Sequence, residues 1–173
     1  MRRGKLAVMV VVFLASSGAG GIVQAVWNDA PSVAASRKTE GEVELTPEEQ
    51  ELLELTNAER RRWGLRPLRP HPLLMLAARR HAANMARQGR LSHTLDGKTF
   101  VDRVVETGYS AQPVSENIAW NPATPATALR CWLASPGHRA NLLGACDEVG
   151  LAVATNERGE RFWVQVFGLS VSR

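Results

Sequence analysis

The run VGLAVATNERGERFWVQVFGL, residues 149–169, decides the fold class. Val149 to Thr155 and Arg161 to Leu169 are rich in residues that favour strands, and Asn156-Glu157-Arg158-Gly159 between them carries turn chemistry. The stretch therefore reads as a β-hairpin. Everything upstream has a different period. Thr46 can cap a helix, Pro47 suits a first helical position, and Glu48 and Glu49 sit where the helix dipole favours acid. The helix predicted there runs to about Trp63 and ends at Gly64, with Leu52, Leu55, Ala58 and Glu59 near helical spacing. A second helix, from Pro72 to Gln88, carries Leu73, Leu76, Ala77 and Met85 and stops at Gly89. Thr99 to Thr107 reads as a short third helix before Gly108, and Thr124-Pro125 opens a fourth that runs to Ala134. Ser135-Pro136 opens a last short helix from Gly137 to Leu143, with His138 in its first turn. Ser115 to Ala119 is either a short strand or an extended loop edge. Helices first and a hairpin last imply an α+β domain with helices packed on an antiparallel sheet.

The chain of 173 residues has room for one such domain. Its first 25 residues pair basic Arg2, Arg3 and Lys5 with an apolar run from Leu6 to Ala15, and Val23-Gln24-Ala25 offers a cleavage site. This is the pattern of a signal peptide, and the apolar run is well short of the roughly 20 residues a membrane span needs. Residues 26–46 lack apolar periodicity and read as a flexible linker, leaving 47–173 as the domain. Removing the three basic residues of the signal from a total of 21 leaves 18 against 17 acidic residues. A chain so nearly neutral is not expected to bind nucleic acid, which needs a basic surface. The expected location is extracytoplasmic, secreted or periplasmic, with no membrane span after cleavage and a monomeric state.

Export also bears on Cys131 and Cys146, the two cysteines of the chain, which an oxidising compartment allows to persist as a disulfide, the alternative being two unpaired buried thiols. Such a loop would contribute about 3 kcal/mol. Of the histidines, His71 lies between prolines at a helix entrance and reads as either solvated or capping, and His81 reads as a half-buried structural residue. His93 follows a helix end within a Ser/Thr/Gly loop, where packing does not ask for imidazole. Glu116 is an isolated carboxylate in an otherwise uncharged stretch, next to Asn117, which can hold a neighbouring loop. At a helix start, His138 is expected to be neutral. Two histidines and a carboxylate on separate loops would make an ordinary first shell for zinc.

Several strings in order carry a resemblance. They are Thr56-Asn57-Ala58-Glu59-Arg60, Gly64-Leu65-Arg66-Pro67-Leu68, the helix from Ala77 to Ala86, Ser92-His93, Glu116-Asn117-Ile118-Ala119, Trp132 to Leu143, Val149 to Val153, and Trp163 to Gly168. Together they resemble the bacterial branch of the CAP superfamily, which groups cysteine-rich secretory, antigen 5 and plant pathogenesis-related proteins. The resemblance covers about residues 48–169. It implies an α-β-α sandwich around a central antiparallel sheet, with a surface cleft that in animal and plant relatives holds two His and two Glu and in some a divalent metal. His93 matches the first His, Glu116 the first Glu and His138 the second His. Ser135 stands in the place of the second Glu, where its expected role is to cap the helix of His138.

Two functions follow as expectations. The first is an extracytoplasmic binding or interaction module whose cleft, at His93, Glu116, His138, Ser135 and Asn117, takes a metal, a lipid or a small polar ligand. Its partner would be an extracellular or envelope lipid, peptide or glycan, and His93 and His138 would hold any divalent metal such as zinc. The second is a metal-assisted, protease-like hydrolase acting on an envelope or extracellular substrate, although neither Ser92 nor Ser135 sits in a Gly-x-Ser-x-Gly elbow. A third reading makes the trio a buried hydrogen-bond network that fixes the loops.

Overall fold

A computed structural model describes residues 43–170. The signal peptide expected over residues 1–25, and the linker expected over 26–46 apart from its last four residues, lie outside the described residues. Within the described part, Val43 and Leu45 already pack against the core.

The hairpin forms as its sequence predicts. Strand β3 (Glu148–Thr155) pairs antiparallel with β4 (Arg161–Leu169), from Glu148 opposite Gly168 to Thr155 opposite Arg161. Asn156 organises the turn, its Oδ1 accepting from the N–H groups of Arg158 at 3.1 Å and Glu160 at 2.9 Å. On its other side β4 pairs antiparallel with β2 (Gln112–Trp120), which is longer than the Ser115–Ala119 segment expected and carries a bulge between Pro113 and Ser115. A bulge suits that position, because proline has no N–H for the ladder. The sheet order is β1-β3-β4-β2, where β1 is the two-residue strand Arg69–Pro70. The sheet is antiparallel apart from that rung, where β1 runs parallel to β3.

Strand β4 is interior, so both of its faces are buried and the side chains sort by the period of two. Trp163 and Phe167 enter one apolar cluster, with Leu52, Trp132, Leu142 and Leu151, and Phe162, Val164 and Val166 enter the other, with Leu74, Ala78, Ala82 and Met85. Truncating one of these aromatic side chains to alanine should cost about 3–5 kcal/mol. Helices α2 (Pro72–Gln88) and α3 (Phe100–Val105) cover the second cluster. Helices α1 (Pro47–Arg62), α4 (Pro125–Ala134) and α5 (Pro136–Leu142) cover the first. The result is the α-β-α sandwich. Gly150 of β3 lies directly under α2, where an added Cβ would collide with the Leu74 carbonyl.

The caps read from sequence at Thr46 and Thr124 are made, whereas the one read at Ser135 is not. Thr46 and Thr99 each form a reciprocal capping box, with Glu49 and Asp102. His71 caps α2, its Nδ1 accepting from the Leu73 N–H at 3.2 Å. Helix α3 is shorter than expected because a turn closed by the Gly108 N–H bonding to Val105 follows it, with Gly108 at φ +87°.

The expected disulfide is not formed. Cys131 is exposed on α4, whereas Cys146 is buried, and both are free thiols. The Cys146 sulfur faces the buried guanidinium of Arg60 at 3.4 Å. That guanidinium also donates to the carbonyls of Arg66, Leu142, Gly144 and Cys146, tying α1 to the segment that leads into β3. Packing under Arg60, rather than a covalent link, fixes this cysteine.

Candidate functional site

The site is built on β2, where Glu116 and Asn117 are neighbours and point to opposite faces of the sheet. Glu116 is buried, its side chain 1% exposed, so its charge needs partners inside the protein. Arg103 of α3 supplies one, with its guanidinium 2.7 Å from Oε2. The other is His93, whose Nδ1 lies 2.9 Å from Oε1. A carboxylate accepts only, so Nδ1 carries the proton and Nε2 is left with its lone pair. The His93 side chain is nonetheless 53% exposed. An imidazole at the surface is thus held from below by a buried carboxylate.

The loop beneath His93 is pinned at several points. His81, buried in α2, binds the Ser92 carbonyl through Nε2 at 3.0 Å. Arg103 donates to the carbonyls of His93 at 3.0 Å and Lys98 at 2.9 Å. Leu95 and Lys98 bond to each other across a tight turn whose central residues, Asp96 and Gly97, have φ of +53° and +74°. Positive φ at both central positions is the mirror-image hairpin turn that an Asp-Gly pair favours. Burial lowers the His81 pKa to about 4, with Glu116 opposing the shift and Arg103 and His93 adding to it. His81 is therefore neutral at physiological pH, in keeping with the structural role read from sequence.

On the other face, Asn117 holds the helix of His138. Its amide donates to the His138 carbonyl at 3.0 Å, and its Oδ1 accepts from Asn141 at 2.9 Å. Asn141 also reaches the Glu116 carbonyl at 3.3 Å. The chain continues inward, with Asn117 at 3.5 Å from Gln165 and Gln165 donating to Thr56 at 2.8 Å. The half-buried His138 has a lowered pKa, first because burial disfavours the cation and then because His93 is near. The direction matches the expectation, but the cause is burial and a neighbouring imidazole.

His93 and Glu116 are therefore in direct contact, and His138 lies near enough to His93 to feel its charge, with Asn117 holding the His138 carbonyl. Two expectations are corrected. Ser135 stands at the start of α5, yet its hydroxyl makes no capping bond. It also ends α4, where its N–H is taken by the Trp132 carbonyl. Glu116 is not placed as a metal ligand beside His93, because both of its oxygens are engaged, one on the far nitrogen of that ring and one on Arg103. Among the described residues no three His, Cys, Asp or Glu side chains are grouped to hold a metal. The donors present, two imidazoles, do not fit the three-ligand centre expected. Ser92 is not set up as a nucleophile, since its hydroxyl donates to the Thr94 carbonyl at 2.7 Å. Arg103 was missed from sequence because a charged residue on a short helix reads as solvated surface.

The sequence profile of the cysteine-rich secretory protein family, CAP, matches residues 53–167. The chain belongs to the CAP family. It is 34% identical over 121 residues to the uncharacterized protein YkwD of Bacillus subtilis (strain 168), which is 69% of this chain and 46% of that protein. It is 32% identical over 114 residues to the uncharacterized membrane protein YlbC of the same organism, 65% of this chain and 33% of that one. The CAP chain thus spans less than half the length of these relatives. Among solved structures, it superposes with a TM-score of 0.63 and 29% identity on an extracellular SCP-domain protein from Bacillus anthracis str. Ames, covering 75% of this chain and 45% of that one. An outer surface protein of Borrelia burgdorferi shares the CAP fold, with a TM-score of 0.63 at 21% identity, covering 76% of this chain and 99% of that one. Among the described residues, no helix is long and apolar enough to cross a membrane.

Proposed function

We propose that this CAP protein is exported and acts outside the cytoplasm as a binding module, with the cleft at His93 and His138 taking a small polar ligand. One observation carries the reading: a half-exposed imidazole is immobilised by a carboxylate that is itself buried and paired. Packing does not require that arrangement, and a site that presents a fixed lone pair to solvent is preorganised for a ligand. Nε2 of His93 accepts, so the matching ligand group donates: a hydroxyl, an amide N–H or a hydrated cation. Export is supported by the signal-like pattern of residues 1–25 and by the extracellular relative from Bacillus anthracis.

The test follows the imidazole resonances of His93 and His138 while the purified protein is titrated separately with zinc chloride, an N-acetylglucosamine disaccharide and an N-acetylated dialanine amide. Saturable shifts of both rings with one probe, lost in a folded His93→Ala variant, support the binding module. Absence of saturation with all three probes would leave the trio as a loop-fixing network and sink the proposal.

A further inference from the structure

The C-terminal end of α1 leads into an aromatic side chain that packing leaves outside. Trp63 is 55% exposed, yet its indole is held on two sides. Its Nε1–H donates to Glu59 at 2.9 Å, and the guanidinium of Arg139, from α5, lies 4.9 Å over the ring centroid. Beyond Arg139 the surface continues as an apolar groove of about 400 Å³, lined by Leu133, Ala134, Pro136, Ala140 and Leu143.

The charge at this end is positive. Arg61, Arg66 and Arg139 are exposed and make no ion pair among the described residues. They come from α1, the turn that follows it and α5. Glu59, the acid at the ring, is already taken by the indole N–H and by Arg62 at 3.2 Å. Charge is also sorted along α1, with Glu48, Glu49, Glu51 and Glu54 in its first half and basic residues in its last turn. From Glu49 to Arg61 the helix rises about 18 Å, well beyond the ~8 Å screening length of physiological salt. An extended negative surface would attract the basic end without repelling the acidic one.

An indole suits such a surface, because its apolar body and polar N–H favour the boundary between lipid headgroups and acyl chains. Guanidiniums drawn from three segments do not form one fork for a single small anion, whereas a layer of headgroup phosphates can meet each of them.

We propose that the end formed by Trp63, Arg61, Arg66 and Arg139, with the groove beside it, docks on the surface of an anionic phospholipid bilayer. The indole enters the headgroup layer and the guanidiniums pair with phosphates. This surface uses none of the side chains of the His93 cleft.

The experiment measures sedimentation of the purified protein with vesicles of phosphatidylcholine alone and of phosphatidylcholine mixed with an equal part of phosphatidylglycerol. The mixed vesicles should bind at least about tenfold more tightly. Binding should bring a blue shift of tryptophan emission that is lost in Trp63→Phe. It should reverse as salt is raised from about 0.05 to about 0.5 M, which shortens the screening length about threefold. Arg61→Gln, Arg66→Gln and Arg139→Gln should each weaken binding about fivefold, the worth of one basic side chain near such a surface. Arg80→Gln removes an exposed guanidinium of α2 that also lacks an ion pair, and should leave binding unchanged. No preference for the mixed vesicles, an equal loss in Arg80→Gln, or a blue shift that Trp63→Phe leaves intact would overturn the proposal. Tighter binding to soluble polyglutamate than to the mixed vesicles, abolished by the same three arginine variants, would assign the surface to an acidic polypeptide and overturn it as well.

Discussion

Two polar clusters sit back to back on β2, one residue apart in sequence, and they are built to opposite plans. The cluster on the Asn117 face is neutral, and it runs from Asn141 through Asn117 and Gln165 to Thr56, buried toward its inner end. The cluster on the Glu116 face is charged and ends at the surface, in the ring of His93. A buried amide chain whose members satisfy one another fixes architecture, since every donor and acceptor must be paired whatever the protein does. A charged cluster with one open end has taken Glu116 out of water and still leaves a ring nitrogen without a partner among the described residues. The difference shows where to look for function: on the face where pairing stops short.

Substitutions can break this contrast, starting with the charged side. Glu116→Ala leaves the nearly buried Arg103 without its counter-charge and should destabilise the protein by about 3–5 kcal/mol, read by chemical denaturation. A loss below about 1 kcal/mol would mean that the charges do not hold the loop. The next effect is one of pH. Because burial lowers the His81 pKa to about 4, the unfolded chain takes up a proton near pH 6.5 that the folded imidazole refuses. The stability present above pH 6.5 should therefore fall as pH drops toward 4, by up to about 3 kcal/mol. His138, shifted in the same direction, adds to the fall. Denaturation midpoints measured across that window should flatten in His81→Gln, and an unchanged slope there would remove His81 from the account.

On the neutral side, Asn117→Ala strands the His138 carbonyl and the Asn141 amide and should cost about 2 kcal/mol. The His93 resonances should stay in place, because that ring is held from the other face. Movement of His93 in this variant would show the two clusters to be one. His93→Ala should have the smallest effect on stability, under about 1 kcal/mol, because the ring is half exposed. It should instead abolish whatever the cleft binds. A cost of several kcal/mol with no change in binding would move His93 to the structural side of the contrast.

The fold was legible where local chemistry and tertiary need agree. The β-rich run of β4, the capping threonines and the terminating glycines Gly64, Gly89 and Gly108 each specify their element without help from distant residues. Strand β1 was not legible, because Arg69-Pro70 has neither period nor propensity and pairs only because β3 lies alongside it. The candidate site was half legible. His93, Glu116 and His138 stand out as polar residues where packing does not ask for them, and Asn117, expected to hold a loop, bonds helix α5 instead. Arg103 and Asn141 were invisible, since their partners lie 13 and 24 residues away and come close only through the fold. The disulfide expectation failed for a related reason. Two cysteines in an exported chain suggest a bond, but the burial of Cys146 under Arg60 and the exposure of Cys131 are set by long-range packing.

Strand β2 is the outermost strand on its side of the sheet, so its outward carbonyls are open to pairing with another chain. Two of them are already occupied. Trp132 donates its indole N–H to the Ile118 carbonyl at 3.1 Å, and Asn141 reaches that of Glu116. Two side chains from the helical layer thus plug the rim where a foreign strand would zip on. The same geometry that builds the site thus covers part of an edge on which another copy of the chain could otherwise pair.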